Sequence, residues 1–349
     1  MWIHLAARNP DPRKRLTACM QVLADIQATY RNFAVYAAGN SPCFEEWALG
    51  VAADREVQCW LAWLPEPKRQ PNLVFAAARW HGLVAPAPYA DLREALLGDT
   101  GRIRATILER ATQTNEVGRL ATLLPAFASV PGAGPVGLLE VGASAGLCLF
   151  PDRWSYSWTT DHGTVTAGSA APTLHADVSG PAALPDDVPQ VAWRGGIDRN
   201  PLDAAGPQTS RWLLTLVWPE HEDRRARLEE ALDIARREPP GLRRGDLLQE
   251  LPGLAAEALA ALPDDGRLLV FHSAVVAYLD VPGRELFAAL MRELLTDPRV
   301  HWVSNERPRA LPAVTATGPE PPPGRYVLGV DGHAVGHTHQ HGRSLHWWG

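Results

Sequence analysis

The stretch VGLLEVGASAGLCLF, residues 136–150, decides how this chain is read, because two incompatible motifs share its turn Gly142-Ala143-Ser144-Ala145-Gly146. Read as G-x-S-x-G it is a nucleophile elbow, with Ser144 on a strained turn between a strand and a helix. Read from Glu140 it is an acid-x-Gly-x-small-x-Gly turn, whose glycines let a nucleotide-bearing cofactor lie against the backbone. The run from Val136 to Val141 is short, apolar and preceded by the turn-rich SVPGAGP, which suits a buried parallel strand.

Working outward, residues 12–128 repeat apolar positions at helical spacing, with breaks at GNSPC, LPEPKRQPN and APAPY. They predict a helical N-terminal cap over 1–128. Beyond the turn, RWSYSWTTDHGTVTAGS has the β-branched and aromatic content of a hairpin, and the Pro-rich 171–190 reads as loop, so about 153–189 is an insertion. Apolar strand-like runs follow at 190–198, 241–246, 267–273 and 299–306, with mostly helical intervals, and YVLGVDG and RSLHWWG make a last strand pair. This alternation predicts an α/β fold over 129–349: a doubly wound, mostly parallel, Rossmann-like sheet carrying an inserted β-hairpin.

Context separates the two readings of the turn. A hydrolase elbow ordinarily follows several strands of its sheet, whereas the region before Val136 reads as helix. Asp246 or Asp280 with His301 or a tail histidine would complete a Ser-Asp-His order, but a chain with 12 histidines supplies such orders by chance. The cofactor reading asks for acids at successive strand ends, where an open α/β sheet binds its ligand. Glu140 ends the first strand, Asp198 in GGIDRNPLD the second and Asp246 in RRGDLL the third. Asp198 could meet a ribose diol and Asp246 an adenine edge.

These residues resemble the first motif of class I S-adenosylmethionine-dependent methyltransferases, acid-x-Gly-x-Gly-x-Gly. The resemblance implies that Glu140, Gly142, Ser144, Gly146, Asp198 and Asp246 hold S-adenosylmethionine and that the chain methylates a small molecule. Two features depart from that pattern: Ser144 replaces the middle glycine, and Asp198 follows Glu140 at far more than the usual separation of roughly 20 residues. The whole chain also resembles the largely actinobacterial, uncharacterised family known as domain of unknown function 2332. The strings that carry this are TQTNEVGR (112–119), LLEVGASAGL (138–147), VAWRGGIDRNPLD (191–203), RWLLTLVWPE (211–220), VFHSAVVAYL (270–279) and HGRSLHWW (341–348). It implies a methyltransferase-like core and brings no activity of its own.

His272 in VFHSA is the candidate general base, since imidazole titrates in the right range; a histidine satisfied at a strand end is the plainer alternative. Lack of an Asn/Asp-Pro-Pro-aromatic string tilts the acceptor toward an oxygen, a carboxylate or a carbon. In TQTNEVGR, Gln113, Asn115, Glu116 and Arg119 form a polar cluster that could face the substrate or cofactor cleft, or else be a solvated helix face. Alternation of His337, His339 and His341 could offer imidazoles to an adventitious metal, but nothing in the spacing marks a physiological metal site. Trp193, Trp212, Trp218 and Tyr278 read as core.

Bulk properties narrow the partners. A net charge of -6 gives no basic footprint for nucleic acid. Four scattered cysteines, with no C-x-x-C, suit neither a zinc knuckle nor a disulfide framework and point to a reduced, cytoplasmic protein. No apolar run approaches the length of a membrane span. A non-catalytic, methyltransferase-like binding or regulatory module is the second reading of function, and a Ser144 hydrolase the third. The oligomeric state is not legible.

Overall fold

The computed structural model describes residues 12–113 and 116–349. It divides into two compact units, one running up to Gln113 and including Arg211–Arg225, the other holding Thr114–Ser210 and Ala226–Gly349. This division departs from a single cut at 128/129, because a later segment returns to the helical unit and the last helix before the sheet belongs with the sheet.

The helical unit contains α1 (Pro12–Ala37), α2 (Pro42–Ala53), α3 (Arg55–Ala62), α4 (Pro71–Trp80), α5 (Tyr89–Leu97) and α6 (Arg102–Glu109). Proline opens α2 and α4 at positions where its missing N–H costs nothing. Ser41 caps α2 by accepting from Phe44 N at 3.1 Å, and Asp54 caps α3 by accepting from Glu56 N and Val57 N. Tyr30, Phe44, Trp47 and Phe75 form the aromatic centre of its core, joined by Trp212 and Trp218 of the returning segment. Within the same unit Glu220 accepts from Ser41 Oγ and Cys43 N.

The sheet unit begins with α7 (Leu120–Ser129) and β1 (Val136–Val141), followed by β2 (Ser155–Thr160), β3 (Gly163–Ala167), β4 (Thr173–Ser179) and β5 (Val191–Asp198). Next in the chain come α8 (Pro207–Leu216), which belongs to the helical unit from Arg211 on, and α9 (Glu222–Arg237), which belongs to the sheet unit from Ala226 on; then β6 (Gly241–Arg244), α10 (Leu247–Ala261), β7 (Arg267–Ser273), α11 (Val281–Leu294) and β8 (Val300–Glu306). The last elements are α12 (Pro312–Thr315), β9 (Arg325–Val330), β10 (His333–His339) and β11 (Ser344–Trp347). Eleven strands among the described residues form one sheet in the order β3-β2-β4-β11-β10-β9-β8-β7-β1-β5-β6.

The block β6-β5-β1-β7-β8 is parallel throughout. It is the α/β half that the sequence predicts. From β1 the chain builds outward to β5 and β6, then returns to lay β7 on the other side of β1, so the winding reverses between β1 and β7. Leu139, Val141 and Val270 point into the core formed with Leu251, Leu254, Phe287 and Met291 of α10 and α11. Strand residues alternate in direction, and Phe271, next to Val270, meets Phe127 of α7 at 5.2 Å between ring centroids. Helices therefore cover both faces.

Three local expectations need correction. The Pro-rich 171–190 contains β4, whose Leu174, Ala176 and Val178 alternate inward between exposed or half-buried polar residues. Flanking prolines hid this period of two. The terminal strand pair is three strands, because β10 lies between β9 and β11 with antiparallel pairing to both. The turn after β1 leads into 3₁₀ turns at Leu147–Leu149 and Pro151–Arg153, where either reading of its motif would place an α-helix.

Candidate functional site

At the carboxyl end of β1 the chain turns left-handed three times, at Gly142 (φ 73°), Ser144 (φ 51°) and Gly146 (φ 68°). Glycine adopts this region freely, while Ser144 holds it at a cost. Asp198 supports the turn: its Oδ2 accepts from Ser144 N at 2.8 Å, and its Oδ1 accepts from Asn200 N at 2.7 Å. Gly142 N and Ala143 N donate to Ile197 O. The two glycines are also sites of close packing. A Cβ on Gly142 would strike the side chain of Val275, and one on Gly146 would come within 2.8 Å of Pro240.

Glu140 is buried at the end of β1, and its Oε2 has no hydrogen-bond partner among the described residues. Burial pushes its carboxyl well above the ordinary value, Arg119 works against that rise, and Asp198 adds to it. The Cys148 thiol is raised well above its usual range, by burial first and then by the Glu140 charge.

Arg119 is the centre that sequence reasoning only partly reached. It lies in the 3₁₀ turn Val117–Arg119, capped by Glu116, whose carboxylate accepts from Gly118 N at 3.2 Å. Both Glu116 and Arg119 are buried, so this stretch is not a solvated helix face. Arg119 Nε donates to Gln340 O at 2.9 Å and Nη1 to Ser273 O at 3.1 Å. Glu116 Oε2 lies 3.4 Å from His341 Nδ1, and Cys148 Sγ lies 3.7 Å from Glu116 O. A Cβ on Gly118 would come within 2.9 Å of His341 O, which shows how closely the two turns approach. Arg119 thus ties its own string TQTNEVGR to VFHSAVVAYL through Ser273, and His341 of HGRSLHWW meets Glu116 beside it. Asn305, wholly buried beside them, donates to Ser273 Oγ at 3.0 Å and accepts from Thr338 Oγ1 at 2.6 Å.

Other expected residues lie elsewhere. Asp246 is the N-cap of α10: it accepts from Leu248 N at 2.9 Å and pairs with Arg199 at 2.6 Å. The Arg199 hydrogen bond and then the Leu248 N–H hold its carboxyl below the usual range. Gln113 belongs to the helical unit, and Asn115 lies outside the described residues.

His272 is the clearest correction. It is fully buried in β7, its Nε2 accepts from Trp302 Nε1 at 2.9 Å, and its Nδ1 lies 2.8 Å from Glu306 Oε1. Indole can only donate, so Nδ1 carries the proton that goes to Glu306. Both ring nitrogens are occupied inside the sheet, which leaves neither for a substrate. Glu306 Oε1 also accepts from Val275 N and Val276 N; burial works to raise this carboxyl, but the His272 hydrogen bond and these N–H groups keep it low.

The tail histidines are engaged within the fold, the ring centroids of His339 and His341 lying 5.6 Å apart. His337 packs on Trp348, His346 Nδ1 lies 2.9 Å from Ser179 Oγ, and His339 is brought down to about 4 by burial and by the nearby His341, Arg343 and Arg325. No group of three or more His, Cys, Asp or Glu among the described residues could hold a metal ion. Of the aromatic residues read as core, Trp212 and Trp218 are buried and Trp193 partly so, whereas Tyr278 is 88% exposed. None of the described helices is long and apolar enough to cross a membrane.

The chemistry available at this centre is that of a buried cation among carboxyl groups, one with an unused oxygen, at the point where the sheet reverses its winding. Open α/β sheets place ligands at such a point. Among curated proteins no match to the chain was found. A family model matches residues 27–347, and the chain belongs to that family, the uncharacterised proteins conserved in bacteria known as domain of unknown function 2332.

Proposed function

We propose that the chain binds S-adenosylmethionine at the carboxyl ends of β1 and β7 and methylates a small molecule. The observation that carries this reading is Glu140: a buried carboxyl with an unpartnered oxygen, two residues before a thrice left-handed turn, beside the winding reversal. Burial disfavours the ionised form of this carboxyl, and a cationic ligand beside it would favour that form again. S-adenosylmethionine brings both an ammonium and a sulfonium, and the sulfonium supplies an activated methyl group.

The residues fit this ligand in part. Glu140 would meet its ammonium, and the turn from Gly142 to Gly146 would lie along it. Asp198, half-buried, keeps acceptor lone pairs beyond those given to Ser144 N and Asn200 N, so it can still meet a ribose diol. Asp246, as a helix cap paired with Arg199, is the weakest member of the expected set. With His272 enclosed, a carboxylate acceptor asks least of the protein, since it carries no proton at neutral pH and needs positioning rather than a base.

Calorimetric titration with S-adenosylmethionine and S-adenosylhomocysteine tests the reading. Micromolar binding, weakened at least tenfold in Glu140→Ala, is expected; a folded protein that binds neither compound overturns it. Methyl transfer to a panel of carboxylic acids then tests catalysis. Val275 filling the space beside Gly142, together with the internal use of Asp198 and Asp246, favours the second reading, a non-catalytic binding module. Binding without transfer to any acceptor would select it. The hydrolase reading has least support: no described strand precedes β1, and a 3₁₀ turn follows Ser144.

A further inference from the structure

The sheet unit also contains a cavity of about 470 Å³, between one stripe of α11, the segment Arg309–Val314 and the turn from β9 to β10. None of the residues assigned to the Arg119 centre lines it. Its floor is apolar, formed by Trp302, Leu311 and Val314, while Arg284, Arg292 and Arg309 stand among its walls. A volume of this size falls in the range of small-molecule sites, which combine apolar walls with a few fixed polar groups.

The state of each charge argues for an anionic occupant. Arg284 is held by backbone carbonyls, donating to Leu279 O at 2.9 Å, Ala277 O at 2.9 Å and Arg309 O at 3.2 Å, so its cation is fixed in place without being neutralised by a carboxylate. Asp331 is already committed: Oδ1 accepts from Trp302 N at 2.7 Å, and Oδ2 lies 2.8 Å from His301 Nδ1. Neither Arg292 nor Arg309 forms an ion pair among the described residues. The positions three and four residues either side of Arg292 are Ala288 and Ala289 on α11 and Leu295 and Thr296 just past its end, so none of them offers it an acid. Glu285 is the other carboxylate among the lining residues, against three guanidinium groups on the same walls.

We propose that this cavity is a second ligand site, independent of the Arg119 centre, for an anionic amphiphile: a carboxylate or phosphate monoester whose apolar body lies over Trp302 and Leu311 and whose head group meets Arg292 and Arg309. Guanidinium is suited to both heads because its forked donors match two oxygens at once. The apolar floor demands the body and the arginines demand the charge.

Calorimetric titration of the full chain with octanoate, octyl phosphate, octanol and inorganic phosphate tests both demands. The octyl anions are expected to bind at least tenfold more tightly than octanol or inorganic phosphate, and whichever octyl anion is stronger identifies the head group. Arg292→Glu/Arg309→Glu, a change confined to exposed side chains, is expected to weaken that binding at least tenfold. Ala288→Trp, which fills the cavity from the α11 stripe and leaves its charges untouched, is expected to abolish it, with folding verified by circular dichroism. No binding of either octyl anion overturns the proposal, as does octanol or inorganic phosphate binding equally well. Unchanged affinity in the double variant or in a folded Ala288→Trp protein also overturns it.

Discussion

A single carboxyl group shows how burial becomes a pH dependence. Glu140 is raised above its ordinary value mainly by burial, with Arg119 opposing and Asp198 adding to the rise. Between the unfolded value, about 4.3, and the higher folded one, the native protein binds more protons than the unfolded chain, so this group's contribution to stability falls as pH rises through that window. Glu140→Gln keeps the shape and removes the titration. The variant's melting temperature relative to wild type is expected to increase from pH 4 to pH 8; a constant difference would show that Glu140 ionises in the native state as it does in water. Glu140 was legible in the sequence because a strand-end acid before a glycine turn is a local pattern. The role of Arg119 was not, since its acceptors are carbonyls of Ser273 and Gln340, brought to it only by the order of strands in the sheet.

At the scale of elements, Glu306 at the end of β8 gathers three donors on one oxygen, from His272, Val275 and Val276. It thereby fixes the segment leaving β7, which includes the left-handed Ala274 (φ 62°) and presses Val275 against Gly142. Hydrogen bonds to a charged group contribute about 1.5–3 kcal/mol each, whereas loss of a helix cap costs about 1 kcal/mol. Glu306→Ala is therefore expected to lower stability by about 3 kcal/mol or more, and Asp246→Ala by about 1 kcal/mol, in urea denaturation. Equal effects would mean that Glu306 does no more than an ordinary cap. Helices of the N-terminal unit and the strands of the parallel block were readable because their apolar periods are uninterrupted. The fourth strand was not, since its prolines mimic a loop, and the 3₁₀ turns after β1 were not, since a glycine turn after a strand ordinarily opens a helix. His272 was misread for a related reason: in sequence a strand-end histidine shows its position but not that Trp302 and Glu306 enclose it.

For the whole molecule, the chain passes from helical unit to sheet unit, returns for Arg211–Arg225 and then completes the sheet. The return was not legible in the sequence, because Trp212 and Trp218 look like any core aromatic until their neighbours are known. Within the sheet, β11 pairs in parallel with β4 and antiparallel with β10, so among the described strands it is β11 that joins β2, β3 and β4 to the rest. Deleting its four residues, Ser344–Trp347, is expected to expose 155–179 to limited proteolysis while the parallel block keeps its protection in hydrogen exchange. Uniform protection would show that the hairpin is held by other packing. The same joint sets a timetable for synthesis. On the ribosome the inserted strands emerge long before β11, so one edge of this sheet must wait, unpaired and open to wrong partners, until nearly the last strand residue has been translated.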